Sequence, residues 1–176
     1  VFWALIAITS AAARAETREV IPGAEYQAGT LHRIFLGDHW RDLWTMPIQV
    51  EVLNLDKFAG GLKPTKRGGG FQTKSLRFLG KDQREYKFRS LNKDPTKVLD
   101  KELRDSVVAE IVQDQISTAN PLAALVVDPI LKAAGILSTS PRLVILPDSE
   151  KLGPHRADFK NVLGTLEENP TVRDDG

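Results

Sequence analysis

From Ile48 to Leu55 apolar and polar residues alternate over the first five positions, the two-residue period of a half-buried strand. The period returns in Lys74–Leu79 and Arg84–Leu91, which are separated by the turn-forming Gly80-Lys81-Asp82-Gln83. Residues 73–91 are therefore predicted to form an antiparallel hairpin. Leu76, Phe78, Tyr86 and Phe88 share one of its faces, and Ser75, Arg77, Lys87 and Arg89 the other. The Gly-rich residues 60–73 ahead of it are predicted as a loop. Further along, Leu103, Val107, Val108, Ile111, Val112 and Ile116 recur at helical spacing behind a candidate cap at Asp100, predicting a long helix over residues 101–117. Gln115 within that stripe marks either a buried amide or a helix that ends earlier.

Pro121 opens a second helix, nearly apolar throughout and hence predicted as buried, with a break at Pro129 and a C-cap at Gly135. Leu143–Leu146, between Pro141 and Pro147, reads as a central strand, and Phe159–Leu166 as a strand or short helix. Near the start, Ile34, Phe35, Trp40, Leu43 and Trp44 lie close to helical spacing around Gly37, predicting short helical turns whose tryptophans plug one edge of the core. Together these elements predict an α+β fold: an antiparallel sheet with a Gly-rich hairpin, packed against one long and one buried helix. A single domain over residues 31–170 holds all of them. Residues 16–30, with Pro22, Gly23, Gly29 and few apolar groups, read as an exposed leader, and residues 171–176 as a truncated polar tail.

Residues 1–15 have a different character. Val1–Ile8 is an apolar run too short to span a bilayer, and it is followed by small residues at Ala13 and Ala15 in the pattern signal peptidases accept. The expectation is a signal peptide lacking its own N-terminal part, cleaved before Glu16, on a protein exported to the periplasm, the outer membrane or the medium. Charge and composition refine this picture. The chain has 176 residues, 41% hydrophobic and 27% charged, the proportions of a soluble globular protein. Without residues 1–15, 23 Lys and Arg balance 23 Asp and Glu, which argues against bulk attraction to nucleic acid. There are no cysteines, so neither disulfides nor thiolate metal sites contribute.

Candidate chemistry gathers in Lys66–Ser75. Gly68, Gly69 and Gly70 let backbone approach a ligand, Lys66, Arg67 and Lys74 supply charge for phosphate, and Gln72 adds an amide. The pattern is neither a P-loop nor the dinucleotide fingerprint. In protein kinases a Gly-rich loop joins two antiparallel strands, a cation on the third strand holds the phosphates, and an acid of the next helix orients that cation. The same order here makes Lys87, Arg89 or Lys93 the phosphate-binding cation, with Arg77 beside them and Glu110 as the orienting acid. His32, His39 and His155 lack the paired spacing of a metal site, no Gly-x-Ser-x-Gly elbow occurs, and Asp148, Glu150, Glu167 and Glu168 read as solvated carboxylates.

Four stretches carry a resemblance: Phe71-Gln72-Thr73-Lys74-Ser75-Leu76-Arg77-Phe78, residues 86–95 from Tyr86 to Pro95, Val112–Ser117, and Ala134-Gly135-Ile136. Through them residues 38–170 resemble a family of uncharacterised secreted bacterial proteins distantly similar to HipA-like and phosphatidylinositol-kinase-like kinases. The resemblance implies a kinase N-lobe-like domain binding ATP or another nucleotide, with magnesium in the full-length protein, and a phosphate-binding role for Arg89 and Lys93. The family's Gly-Asp-Trp-Asp-Arg-His motif and later metal-binding Asp motif do not occur in residues 1–176, so this stretch is expected to be inactive alone. Two other classes compete. One is a non-enzymatic cell-envelope binding or scaffold domain, with an outer-membrane barrel following it as one arrangement; the other is a binder of sugar or lipid phosphates through the basic hairpin face.

Overall fold

The computed structural model describes residues 15–70 and 72–170. The expected signal peptide, apart from Ala15, and the expected tail 171–176 lie outside the described residues, as does Phe71. Strands β1 (Thr17–Val20), β2 (Ile48–Val52), β3 (Leu62–Gly68), β4 (Ser75–Gly80), β5 (Glu85–Ser90), β6 (Arg142–Ile145) and β7 (Leu163–Glu168) form one sheet in the order β1-β2-β6-β7-β5-β4-β3. Only β2 and β6 pair in parallel. The helices are α1 (Thr30–Leu36), α2 (Arg41–Thr45), α3 (Val107–Asp114), α4 (Ala123–Ala133) and α5 (Arg156–Phe159). The protein is thus α+β, with a seven-stranded, mostly antiparallel sheet.

The alternation read in β4 and β5 builds the core. Leu76, Phe78 and Phe88 are fully buried with Val144 of β6 and Leu166 of β7. Leu152 and Phe159 cover them from the turn Glu150–His155 and from α5, and Phe88 meets Phe159 edge-on at 6.3 Å. Each such side chain taken out of water contributes about 1.5–3 kcal/mol. Ile145 follows Val144 and so faces the other side of the sheet, as do Val50 and Val52; all three are buried. At the end of α4, Gly135 adopts the left-handed conformation (φ 71°) foreseen for its C-cap. Its N–H bonds the Lys132 carbonyl at 3.1 Å, and that of Ile136 bonds Leu131 at 2.9 Å.

The structure corrects several expectations. Residues 16–30 are not an exposed leader: β1 pairs with β2 over Thr17–Val20, and Tyr26 is buried against Trp44 with ring centroids 5.0 Å apart. Trp44 does plug the core, whereas Trp40 is 46% exposed. The Gly-rich segment is a loop only from Gly69 onward, because Leu62–Gly68 forms β3 along β4. The left-handed conformation of Gly69 (φ 105°) turns the chain there; a Cβ would sit 2.2 Å from the Thr73 carbonyl oxygen.

The long helix is broken. Ser106 is extended (φ −117°, ψ 166°) and donates its hydroxyl to the Leu103 carbonyl, so a 3-10 turn at Lys101–Leu103 is cut off from α3. At the other end α3 stops at Asp114, and the exposed Gln115 starts another 3-10 turn. Nor is the second helix buried: α4 runs through Pro129, and none of its residues is buried. Val126, Val127 and Ile130 of α4 are exposed, as are Val107, Val108 and Ile111 of α3 and Leu31, Ile34 and Phe35 of α1. Among the described residues no helix is long and apolar enough to cross a membrane.

Candidate functional site

Cross-strand register places the predicted cations. Lys66, Arg77, Lys87 and Glu167 stand opposite one another on β3, β4, β5 and β7, and the next row holds Gly68, Ser75, Arg89 and Thr165. Directly paired residues project to the same side, so these rows form the sheet face opposite Phe88. Arg77 and Lys87 are like charges set directly across from each other, an unfavourable pairing. Arg89 Nε lies 3.4 Å from Glu167 Oε1, and Arg77 Nη1 lies 3.8 Å from Glu85 Oε2. Burial, and then the neighbouring Arg89 and Arg77 guanidinium groups, hold the Lys87 ammonium below the usual lysine range. Ser75 is 2% exposed, and its Oγ has no hydrogen-bond partner among the described residues. An unpaired buried hydroxyl costs about 1–3 kcal/mol.

Gln72, Lys74 and Lys93 lie elsewhere, around a hollow of about 510 Å³ at the end of β5, together with Ser90 and Asn92. Glu110 occupies a third place, a hollow shared with Tyr26, His32 and Gln113 on the far side of the β5–α3 connection. It forms no ion pair with Lys87, Arg89 or Lys93, so it is not their orienting acid. The carboxylate that does pair with Arg89 is Glu167, read from sequence as solvated, which also accepts the Thr139 hydroxyl at 3.1 Å. Of the residues expected to converge, Gly68, Arg77, Lys87 and Arg89 share the sheet face, Gln72, Lys74 and Lys93 share the hollow, and Gly70 has no atom within 4 Å of where its Cβ would stand.

No family model matches the chain, nor does any curated protein or solved structure. The reading of its chemistry therefore rests on the side chains themselves.

One polar cluster gave little sign of itself in the sequence. Arg41 is fully buried and donates both terminal nitrogens to Asp114, at 2.7 Å each, while its Nε bonds the Gly37 carbonyl at 2.9 Å. His32 Nε2 approaches the same carboxylate at 3.0 Å. The Arg41 bonds first, and His32 after them, hold the Asp114 carboxyl below the usual carboxylate range against the opposing effect of burial. Next to it the Tyr26 hydroxyl donates to Asn92 at 2.6 Å and accepts from Gln113 at 2.7 Å. The available signal was three polar residues, Gln113-Asp114-Gln115, inside an apolar stripe; Arg41, beside Asp42 in a mixed turn, gave none.

The sheet face thus gathers two guanidinium groups and an ammonium, donor types that pair with phosphate oxygens, with Glu85 and Glu167 facing the two arginines. Among the described residues no group of three or more His, Cys, Asp or Glu side chains is placed to hold a metal ion.

Proposed function

We propose that the chain is the nucleotide- or phosphate-binding lobe of an exported kinase-like protein, with the face of β3, β4, β5 and β7 as its ligand surface. The observation that carries this reading is the set of Arg77, Lys87 and Arg89 in adjacent register rows beside Gly68 and the unpartnered Ser75 hydroxyl. Like charges held opposite each other favour an anion between them. Support also comes from the order of elements: a glycine turn between paired strands, then a cation-bearing strand, then a helix, is the order kinases use around ATP phosphates. Glu167 takes the orienting role that kinases give to a helix acid. Phosphoryl transfer also needs a base and metal-binding carboxylates, so the lobe binds and orients phosphate without transferring it.

Titration calorimetry of the protein from Glu16 with ATP, with and without magnesium, tests this. Weak, salt-sensitive binding is expected, and Arg89→Ala removes it while leaving the fold intact, since the Arg89 side chain is 51% exposed. Absence of nucleotide and phosphate binding in the folded protein, or binding indifferent to Arg89→Ala, refutes the proposal. The exposed apolar residues of α1, α3 and α4 favour a second reading, a non-enzymatic envelope binding or scaffold domain. A folded protein with no nucleotide heat would leave that reading standing.

A further inference from the structure

The hollow at the end of β5 is a separate site from the sheet face, and we infer that it binds a phosphomonoester carried on an apolar body. Segments distant in sequence build it: the end of β1, Gln72 and Lys74, the β5–α3 connection, and the approach to β7. Backbone hydrogen bonds fix their mutual placement. The Ser90 N–H bonds the Lys74 carbonyl at 2.8 Å, that of Asp94 the Gln72 carbonyl at 2.8 Å, and that of Leu91 the Leu163 carbonyl at 3.0 Å. The walls are thus formed before any ligand arrives, which lowers the entropy lost on binding.

Charge selects the ligand class. Lys74, Lys93 and Lys97 face the hollow with one carboxylate, Asp94, which lies 3.2 Å from the Lys97 ammonium. Lys74 Nζ donates to the Asp158 backbone carbonyl at 3.2 Å, and the Asn161 side-chain oxygen Oδ1 accepts from Arg18 at 2.8 Å, while its Nδ2 has no partner among the described residues. Lys93 and Gln72 have no side-chain partner among the described residues. Two positive charges therefore lack a counterion, and a phosphomonoester brings about 1.5–2 negative charges near neutral pH. A phosphodiester, carboxylate or sulfate monoester brings one. The rest of the lining includes an apolar set, Val20, Ile21, Pro22, Val162 and Leu163. The volume, about 510 Å³, suits a small organic molecule better than a bare ion.

The test is calorimetry of the protein from Glu16 with phenyl phosphate, phenyl sulfate and inorganic phosphate. Phenyl phosphate should bind saturably and at least about tenfold more tightly than the other two, one from lost charge and the other from lost apolar contact. Lys93→Ala should weaken it about tenfold or more, and Gln72→Ala less, both without change in thermal midpoint because each residue is exposed. Arg89→Ala should leave phenyl phosphate binding as it is. This separates the hollow from the proposed nucleotide surface, so each can fail alone. No saturable phenyl phosphate binding at millimolar concentration, equal affinity for phenyl sulfate, or indifference to both Lys93→Ala and Gln72→Ala would overturn the assignment.

Discussion

Replacing Asp114 by alanine should be among the most damaging single changes outside the apolar core. Arg41 has no exposed surface, and among the described residues its two bonds to Asp114, 2.7 Å each, are the only ones that match its charge at hydrogen-bond distance. Removing one partner of a buried ion pair costs about 3–5 kcal/mol, since the survivor is left charged and desolvated. The lower end applies here. The carbonyls of Gly37 and Tyr26 still accept from the guanidinium, and the Asp114 side chain is 11% exposed, so water can enter the space it leaves. With a loss of about 3 kcal/mol and a urea dependence of about 2 kcal/mol per molar, the unfolding midpoint should fall by about 1.5 M. Arg41→Met combined with Asp114→Leu should recover most of the loss, because it removes both charges and keeps the volume. Acid adds a sign. The folded-state value of Asp114 lies below its unfolded value, so its contribution is complete above about pH 4 and disappears as pH falls through the lower folded value. The gap between the parent protein and Asp114→Ala should therefore close on acidification. A midpoint shift smaller than a third of that expected at neutral pH, or one that persists unchanged in acid, would refute this account of the pair.

Two further outcomes follow from burial. Tyr26 and Tyr86, the only tyrosines of the chain, are both pushed up to about 12. Burial is the main cause in each, reinforced for Tyr86 by its hydrogen bond to Asp82 and for Tyr26 by the charge of Glu25. An ultraviolet titration of the folded protein should show almost no tyrosinate at pH 10, where a free phenol is half ionised, and the stability held by these neutral hydroxyls should decline only as pH rises from about 10 toward 12. A half-formed tyrosinate signal at pH 10 before unfolding contradicts it. Phe88→Ala should cost about 3–5 kcal/mol, whereas Ile130→Ser on α4, at 61% exposure, should change stability by about 0.5 kcal/mol or less. Comparable urea midpoint losses for the two would mean that α4 is buried after all.

The strands that were legible are those whose pattern is decided by two faces. β4 and β5 bury one face and hydrate the other, so alternation alone marks them, and Leu76, Phe78 and Phe88 stand where it puts them. β3 escaped notice because it is an edge strand. Its sequence, Leu-Lys-Pro-Thr-Lys-Arg-Gly, pairs on one side only, tolerates Pro64 next to a register shift, and uses lysines where an interior strand would need apolar residues. β1 lies at the opposite edge and exposes three of its four residues, so it too looked like a leader. Helix existence was readable, but helix burial was not. Apolarity states what α3 and α4 would gain from a partner; it does not say that the sheet supplies one. The C-terminal end of α3 is held by polar contacts, Asp114 to Arg41 and Gln113 to Tyr26, and its apolar first turns are left in solvent.

The site divides along the same line between local and distant information. Residue type and strand parity place Arg77, Lys87 and Arg89 on one face, because both are properties of a single hairpin. The acid that faces Arg89 comes from a strand 78 positions later, and only the β5–β7 register decides that it is Glu167 rather than Glu110. Once β7 is paired, Lys87 stands directly opposite Glu167, and yet Glu167 turns to Arg89 and Thr139. Lys87 is left beside two guanidinium groups and shares Glu167 with Arg89, which holds the ion pair. Glu167 offsets only part of the repulsion on Lys87, whose ammonium stays below the usual lysine range, and the proposed ligand surface would draw on the remainder.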